Sequence, residues 1–224
     1  MTFSLTAHDP DTGALGIVVS SSSPAVAARC AHIRAGVGAV ASQNVTNPAL
    51  GEVGLNALAR GASAAGALEA MLAADDFPEY RQLAVVSADG TTAGRSGEQT
   101  LGTHAVVSTG QAVVAGNLLR GKRVAVAMLD GYRTSTEGAF EARLLAGFAA
   151  AVLAGGEAGP VRSSGLIVAE DVRWPVTDLR VDDADDPLGE LQRLWRLWEP
   201  QKRDYRVRAL EPGRAPSFGV AGDR

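Results

Sequence analysis

The sequence predicts an α+β fold, a four-layer α-β-β-α sandwich of two antiparallel sheets, on three observations. Strands and helices come in blocks, β then α then β then α, which argues against the strand-by-strand alternation of a doubly wound parallel sheet. Successive strands are separated by short turn sequences, Asp9-Pro10-Asp11-Thr12-Gly13 and Asp89-Gly90, that make hairpins and hence antiparallel pairs. The strands are apolar enough that two sheets must bury them against each other, leaving the helices to cover the outer faces.

Phe3, Leu5 and Ala7 alternate with Ser4, Thr6 and His8, which is the period of a strand. After the first turn, residues 14–20 form a second, nearly continuous apolar strand. Residues 36–42 (GVGAVAS) form a third, whose glycines and alanines let another backbone or a ligand approach closely. Asn47-Pro48 starts a helix, because the asparagine accepts from orphan amides and the proline sits where a missing N–H costs nothing. Leu55, Leu58, Ala62, Leu68, Met71 and Leu72 keep helical spacing as far as residue 75. Gly61-Ala62-Ser63 divides this stretch into two helices, with Ser63 capping the second. Strands resume at 83–87, 91–95, 105–108 and 112–115. Helical periodicity returns at 122–129 and 139–153, the latter preceded by Thr134-Ser135-Thr136-Glu137 with the spacing of a capping box. Two late strands, 165–169 and 177–181, lead to a last helix opened by Asp186-Pro187 and carrying Leu191, Leu194, Trp195 and Trp198. Residues 1–198 are therefore expected as one domain. The charged, Pro- and Gly-rich stretch 199–224 is expected as a mobile tail or an arm exchanged between subunits.

Composition narrows the function. A length of 224 residues with 46% hydrophobic content suffices for one core. A formal charge of -4 and a pI of about 5.4 leave no basic field to collect phosphates, so neither nucleic acid nor an anionic membrane is an expected partner. One cysteine, Cys30, excludes an internal disulfide framework and fits a reducing, cytoplasmic compartment. No stretch approaches the ~20 apolar residues of a membrane span, and Met1-Thr2-Phe3-Ser4 does not open a signal segment. The expected partners are a small-molecule substrate and copies of the same chain. A homo-oligomer is suggested by the apolar last helix, with Trp195 and Trp198, followed by a tail with little means of ordering itself. No cofactor and no metal are expected: His8, His32 and His104 lack ligand spacing, Cys30 has no CxxC partner, and no GxGxxG, P-loop or GxSxG sequence occurs. The acidic run Asp182, Asp183, Asp185, Asp186 lacks the glycine and terminal glutamate of a calcium loop and reads as a helix cap.

Thr2 is the first candidate nucleophile. A residue this small after Met1 permits methionine removal, which leaves an α-amine beside a hydroxyl. That amine titrates at about 7.7–8.0 and can take the hydroxyl proton itself. Ser20-Ser21-Ser22-Ser23 closes the second strand next to the start of the first, where Ser21 can relay a proton. Arg34 can lower the pKa of the amine or hold a substrate carboxylate. Gly116-Asn117 ends a strand before a helix, where backbone N–H groups and the asparagine amide can donate to an oxyanion; with Asn44 these are the candidate substrate-binding residues. Read singly, each has an ordinary explanation as a small second residue, a solvated serine loop, a surface arginine or a turn. A thiol enzyme using Cys30, with His32 two residues away as its base, is a separate alternative.

In order, these residues resemble the domain of unknown function 1028 family (DUF1028), which is grouped with the N-terminal-nucleophile (Ntn) hydrolases. The resemblance rests on Thr2-Phe3-Ser4, Asp9-Pro10-x-Thr12-Gly13, Arg34-Ala35-Gly36-Val37-Gly38-Ala39-Val40-Ala41, Asn47-Pro48, Gly51 and Gly54-Leu55. It continues through Gly116-Asn117-x-Leu119 and Arg180-Val181-Asp182-Asp183 to Asp186-Pro187 and Glu190-Leu191. It implies a proteasome-like sandwich and a Thr2 nucleophile; the expected reaction is hydrolysis of a small amide or ureido compound, not specific for peptides. Where the family carries Gln before Gly-Asn this chain has Ala115, and Gly159-Pro160-Val161-Arg162-Ser163-Ser164 replaces an Arg-Gly-x-Gln-Ser-Ala segment. The resemblance thus leaves open a remodelled pocket, a changed substrate, or a non-catalytic member serving ligand binding or assembly.

Overall fold

The structure, a computed structural model, describes residues 1–220. Ten strands and seven α-helices are defined among them. They run β1 (Thr2–His8), β2 (Leu15–Ser21), α1 (Val26–Cys30), β3 (Ala31–Arg34), β4 (Gly38–Asn44), α2 (Ala49–Ala59), α3 (Ala64–Ala73), β5 (Arg81–Ser87) and β6 (Thr92–Ser96). There follow β7 (Ala105–Ser108), β8 (Ala112–Asn117), α4 (Arg123–Thr134), α5 (Phe140–Leu153), β9 (Ser163–Ala169), β10 (Pro175–Val181), α6 (Pro187–Trp198) and α7 (Lys202–Leu210). Six strands pair in the order β10-β9-β2-β1-β8-β7 and four in the order β3-β4-β5-β6, each pair antiparallel. Helices α4, α5 and α6 cover the larger sheet, α2 and α3 the smaller one, and the four layers are those the sequence predicts.

Both faces of the central strands are buried because each strand feeds two cores through its period of two. Leu15, Ile17 and Val19 of β2 point between the sheets, against Ala39 and Ala41 of β4, Ala84 and Val86 of β5, and Val113 and Ala115 of β8. The alternate residues of the large sheet, Phe3, Leu5, Val18 and Val114, face Met128, Leu144 and Phe148 of the outer helices. Val40, Leu83 and Val85 face Leu50, Leu55 and Met71 of α2 and α3 in a third core. Gly16 lets α5 lie directly on β2, since a Cβ there would fall 2.6 Å from Leu144 Cδ1.

Local chemistry explains most element ends. Ser63 Oγ accepts from Gly66 N at 3.1 Å and starts α3, and Asp186 Oδ1 accepts from Gly189 N at 2.9 Å and starts α6. Asn47 Oδ1 accepts from Ala49 N at 3.2 Å as α2 begins. The expected capping box is a correction: Thr134 is the last residue of α4, its hydroxyl donates back to Asp130 O at 2.8 Å, and α5 begins only at Phe140. Two short elements escaped the periodicity, α1 and β3. Trp195 is buried in the core of its own chain, and Trp198 donates to Val176 O at 3.2 Å, so the tryptophans that suggested an oligomer are used inside the protomer.

Residues 221–224 of the expected tail lie outside the described residues. Before them, α7 folds back on its own chain, because Glu141 is buried near the start of α5 and needs a cation. Lys202 Nζ supplies it at 2.7 Å and also meets Glu170 at 2.5 Å, while Arg206 pairs with Asp171 at 2.5 Å.

The stretch after α3 is tied to the start of β5 by a nearly buried ion pair. Arg81 Nε lies 2.5 Å from Asp75 Oδ2, and Arg81 Nη1 donates to Val45 O at 2.6 Å. The guanidinium holds the Asp75 carboxyl below the usual carboxylate range. Arg81→Met strands that carboxylate, and urea denaturation should register a loss of about 3–5 kcal/mol; a change under about 1 kcal/mol would mean that the pair behaves as a solvated one.

Candidate active site

The β1–β2 hairpin sets Phe3 opposite Ser20, so Thr2 falls beside Ser21; on its other side β8 sets Thr2 opposite Asn117. All three side chains are buried at one end of the large sheet. Thr2 Oγ1 donates to Met1 O at 2.6 Å, Ser21 Oγ donates to the same carbonyl, and the two hydroxyl oxygens are 3.4 Å apart. Ser23 N donates to Ser21 Oγ at 3.0 Å and fixes its rotamer.

A polar ladder between the sheets supports this end. Ser4 Oγ donates to Gln43 Oε1 at 2.8 Å, and Gln82 Oε1 accepts from Gln43 Nε2 at 2.8 Å and from Asn117 Nδ2 at 3.0 Å. Gln82 Nε2 donates to Ser96 Oγ at 2.8 Å and Gly116 O at 2.9 Å. Asn117 Oδ1 is buried without a partner.

The backbone N–H groups expected to face the site after Asn117 are used elsewhere, which corrects that part of the sequence reading. No helix begins there: Leu118 N donates to Leu101 O at 3.0 Å and Leu119 N to Thr103 O at 2.8 Å, and α4 starts only at Arg123. Leu118 is held at a left-handed φ of 50°, a costly conformation for a branched side chain. Asn44 serves this clamp, also left-handed at φ 77°, with Nδ2 donating to Tyr80 O at 2.6 Å and Oδ1 accepting from Leu101 N at 3.2 Å. Gly116 makes room for Leu119, since a Cβ there would lie 2.9 Å from Leu119 Cδ2.

Arg34 does not reach Thr2. It pairs with Gly38 at the far end of β4, about 20 Å of strand from Asn44, and there it meets Glu52 at 2.9 Å and Asn56 at 3.1 Å. It lines a cleft of about 650 Å³ with Thr12, Gly13 and Arg173, at the opposite end of the sandwich from Thr2. Cys30 is buried between the sheets, and burial pushes its thiol up, away from the thiolate a nucleophile requires. His32 is held below its ordinary pKa by burial, with Nε2 3.3 Å from Arg29 O.

One residue at this end was not anticipated. Glu157 is 2% exposed, its backbone bridges Leu119, and its Oε2 accepts from Ser22 N at 3.1 Å. Its Oε1 is buried and has no partner. Burial pushes the carboxyl up to about 7, against the pull of the N-terminal ammonium nearby.

The chain matches the family described as "Family of unknown function (DUF1028)" over residues 2–191. It belongs to that family. Protein SPO2555 from Silicibacter pomeroyi, of the same family, is 30% identical, with 91% of this chain and 94% of that one covered at a TM-score of 0.83. Anbu (ancestral beta-subunit) from Yersinia bercovieri is 11% identical, covering 89% and 95% at a TM-score of 0.40. The Anbu (Gly-1) mutant from Hyphomicrobium sp. strain MC1 is 13% identical, covering 90% and 96% at 0.42. No curated protein matches the chain.

In this DUF1028 protein, as a sequence, Glu157 is a lone acid in the glycine-rich stretch Gly155-Gly156-Glu157-Ala158-Gly159-Pro160, which reads as an exposed loop. Its raised pKa has a stability consequence. A carboxyl that titrates near 4.5 when unfolded and about 7 when folded contributes fully below the lower value, and that contribution is lost as pH rises through the upper one. Glu157→Gln, which stays neutral, should therefore match the wild-type melting temperature at pH 4.5 and exceed it at pH 8.5, on a scale of about 2–4 °C per kcal/mol. Equal melting temperatures at both pH values would show a solvated carboxylate.

Proposed function

We propose that this protein is an N-terminal-nucleophile amidohydrolase that acts through Thr2 once Met1 is removed. The observation that carries the reading is the Met1 carbonyl, whose oxygen receives both the Thr2 and the Ser21 hydroxyl. That carbonyl stands in for the acyl carbonyl of a substrate, placed beside the atom that would attack it and an O–H donor for the resulting oxyanion. The resemblance of the family to the Ntn hydrolases supports it as well.

In this mechanism Thr2 Oγ1 forms a bond to the substrate carbonyl carbon and passes its proton to the Thr2 α-amine. The oxyanion accepts from Ser21 Oγ. As the tetrahedral intermediate collapses, the carbon–nitrogen bond breaks and the leaving amine takes the proton. Water, deprotonated by the same α-amine, then cleaves the ester and restores the threonine hydroxyl. Asn117 positions rather than donates: its amide is tied to Gln82 and anchors β8 beside Thr2. Arg34 has no part in this scheme, because it lies at the other end of the sandwich. The substrate is a small amide or ureido compound, the compartment the cytoplasm, and the working form a homo-oligomer. No helix among the described residues is long and apolar enough to cross a membrane.

Three variants test the roles on an amide that the wild type hydrolyses. Thr2→Ala should abolish turnover while keeping the fold, whereas Thr2→Ser keeps hydroxyl and amine and should retain measurable kcat. Ser21→Ala should cost about 10²–10³ in kcat with little change in ground-state binding, the effect of losing one oxyanion donor. Turnover by Thr2→Ala at the wild-type rate would refute the nucleophile assignment.

A further inference from the structure

The space around Met1 carries more information than the position of its carbonyl. β1 runs between β2 and β8, so the chain line beyond Met1 passes between Ser22, just past the end of β2, and Leu119, two residues past the end of β8. Glu157 spans that line. Its carboxylate accepts from Ser22 N on one side, and its backbone sits opposite Leu119 on the other, held by Arg120 N to Gly156 O at 3.0 Å and Ala158 N to Leu118 O at 2.9 Å. One residue therefore fits between Thr2 and this barrier. At the barrier stands a carboxyl oxygen that is buried and unpartnered, and the Met1 ammonium makes neither a hydrogen bond nor an ion pair with it. The Met1 side chain turns toward Gly159, where a Cβ would fall 2.9 Å from Met1 Cε. A cavity of about 310 Å³ along the same loop adjoins it, lined by Arg120, Val152 and residues 155–161.

Resting on the amidohydrolase reading above, we propose that the acyl pocket takes a single α-aminoacyl group, an amino acid amide or a comparable aminoacyl amine, whose free ammonium is received by Glu157. The Met1 residue marks two of the subsites, carbonyl at Ser21 and side chain at Gly159, and the unpartnered Glu157 oxygen supplies the third. A buried carboxyl without a partner is costly, and an ammonium is the group that relieves it, as a charge-assisted hydrogen bond replaces an orphaned acceptor. An acylated amine brings no charge to Glu157 and meets the barrier with extra bulk. In turnover, the bond from the aminoacyl carbon to Thr2 Oγ1 forms as the bond to the leaving amine breaks, and water releases the free amino acid.

The probes are L-methioninamide and N-acetyl-L-methioninamide. Binding is measured by calorimetry at pH 8 on full-length protein whose mass shows Met1 gone, in the Thr2→Ala background so that nothing is turned over. The free-amine compound should bind at least tenfold more tightly than the acetylated one. Glu157→Gln, which keeps an acceptor for Ser22 N, should bring the two within about twofold. Equal or tighter binding of the acetylated compound, a preference that survives Glu157→Gln, or binding of neither compound at millimolar concentration overturns the proposal. Hydrolysis of L-methioninamide by the protein with Thr2 intact is scored separately. Selective binding without hydrolysis refutes the nucleophile reading and leaves the ammonium subsite standing.

Discussion

The hydrogen-bonded ladder Ser4–Gln43–Gln82–Asn117 is the constraint on which the rest of this molecule depends. Two sheets packed on alanines and valines have a dry interior, and a glutamine placed there costs free energy unless each of its polar atoms is met. Gln82 meets that requirement by joining β4, β5, β6 and β8, which fixes how the smaller sheet sits against the larger at the Thr2 end. Each bond contributes only about 0.5–1.5 kcal/mol net, but deleting Gln82 would orphan Gln43 Nε2 and Asn117 Nδ2 together, at about 1–3 kcal/mol for each unsatisfied group. The ladder therefore specifies one register of sheet on sheet. Thr2, whose neighbour across β8 is Asn117, inherits its position from that register.

Small residues make this arrangement possible. Ala39, Ala41, Ala84 and Ala115 keep the sheets close enough for side chains as short as serine and glutamine to bridge them. The bridging amides are Gln43 and Gln82, both on the smaller sheet. The strain in the molecule gathers at the same end. Leu118 and Asn44, both left-handed, lock the loop at Leu101 against the residues that follow β8.

Much of the fold was legible because both periods are strong in this sequence: strand alternation in β1, continuous apolar runs where both faces are buried, and helical spacing through α2, α3, α5 and α6. Turn chemistry gave the hairpins, and the first hairpin alone brings Ser21 to Thr2. The segment from α1 to β3 was not legible. A five-residue helix begun by a left-handed Ala25 has no periodicity to detect, and β3 is only half-buried, with polar His32 and Arg34. Missing those elements misplaced Arg34, since its end of the sheet follows from how many times the chain reverses before it. Glu157 was hidden for another reason: its partners Ser22 and Leu119 are 135 and 38 residues away, and nothing local marks it as buried.

The chemistry proposed for this end rests on Thr2 carrying its own α-amine, because no other base stands beside its hydroxyl among the contacts described. The intact mass of the protein isolated from its native host tests that claim most directly. The account predicts a mass one methionine residue below that of the full sequence, with Thr2 as the first residue. A protein found wholly with Met1 attached would contradict it, since Thr2 would then have neither a free amine nor an open face for a substrate carbonyl.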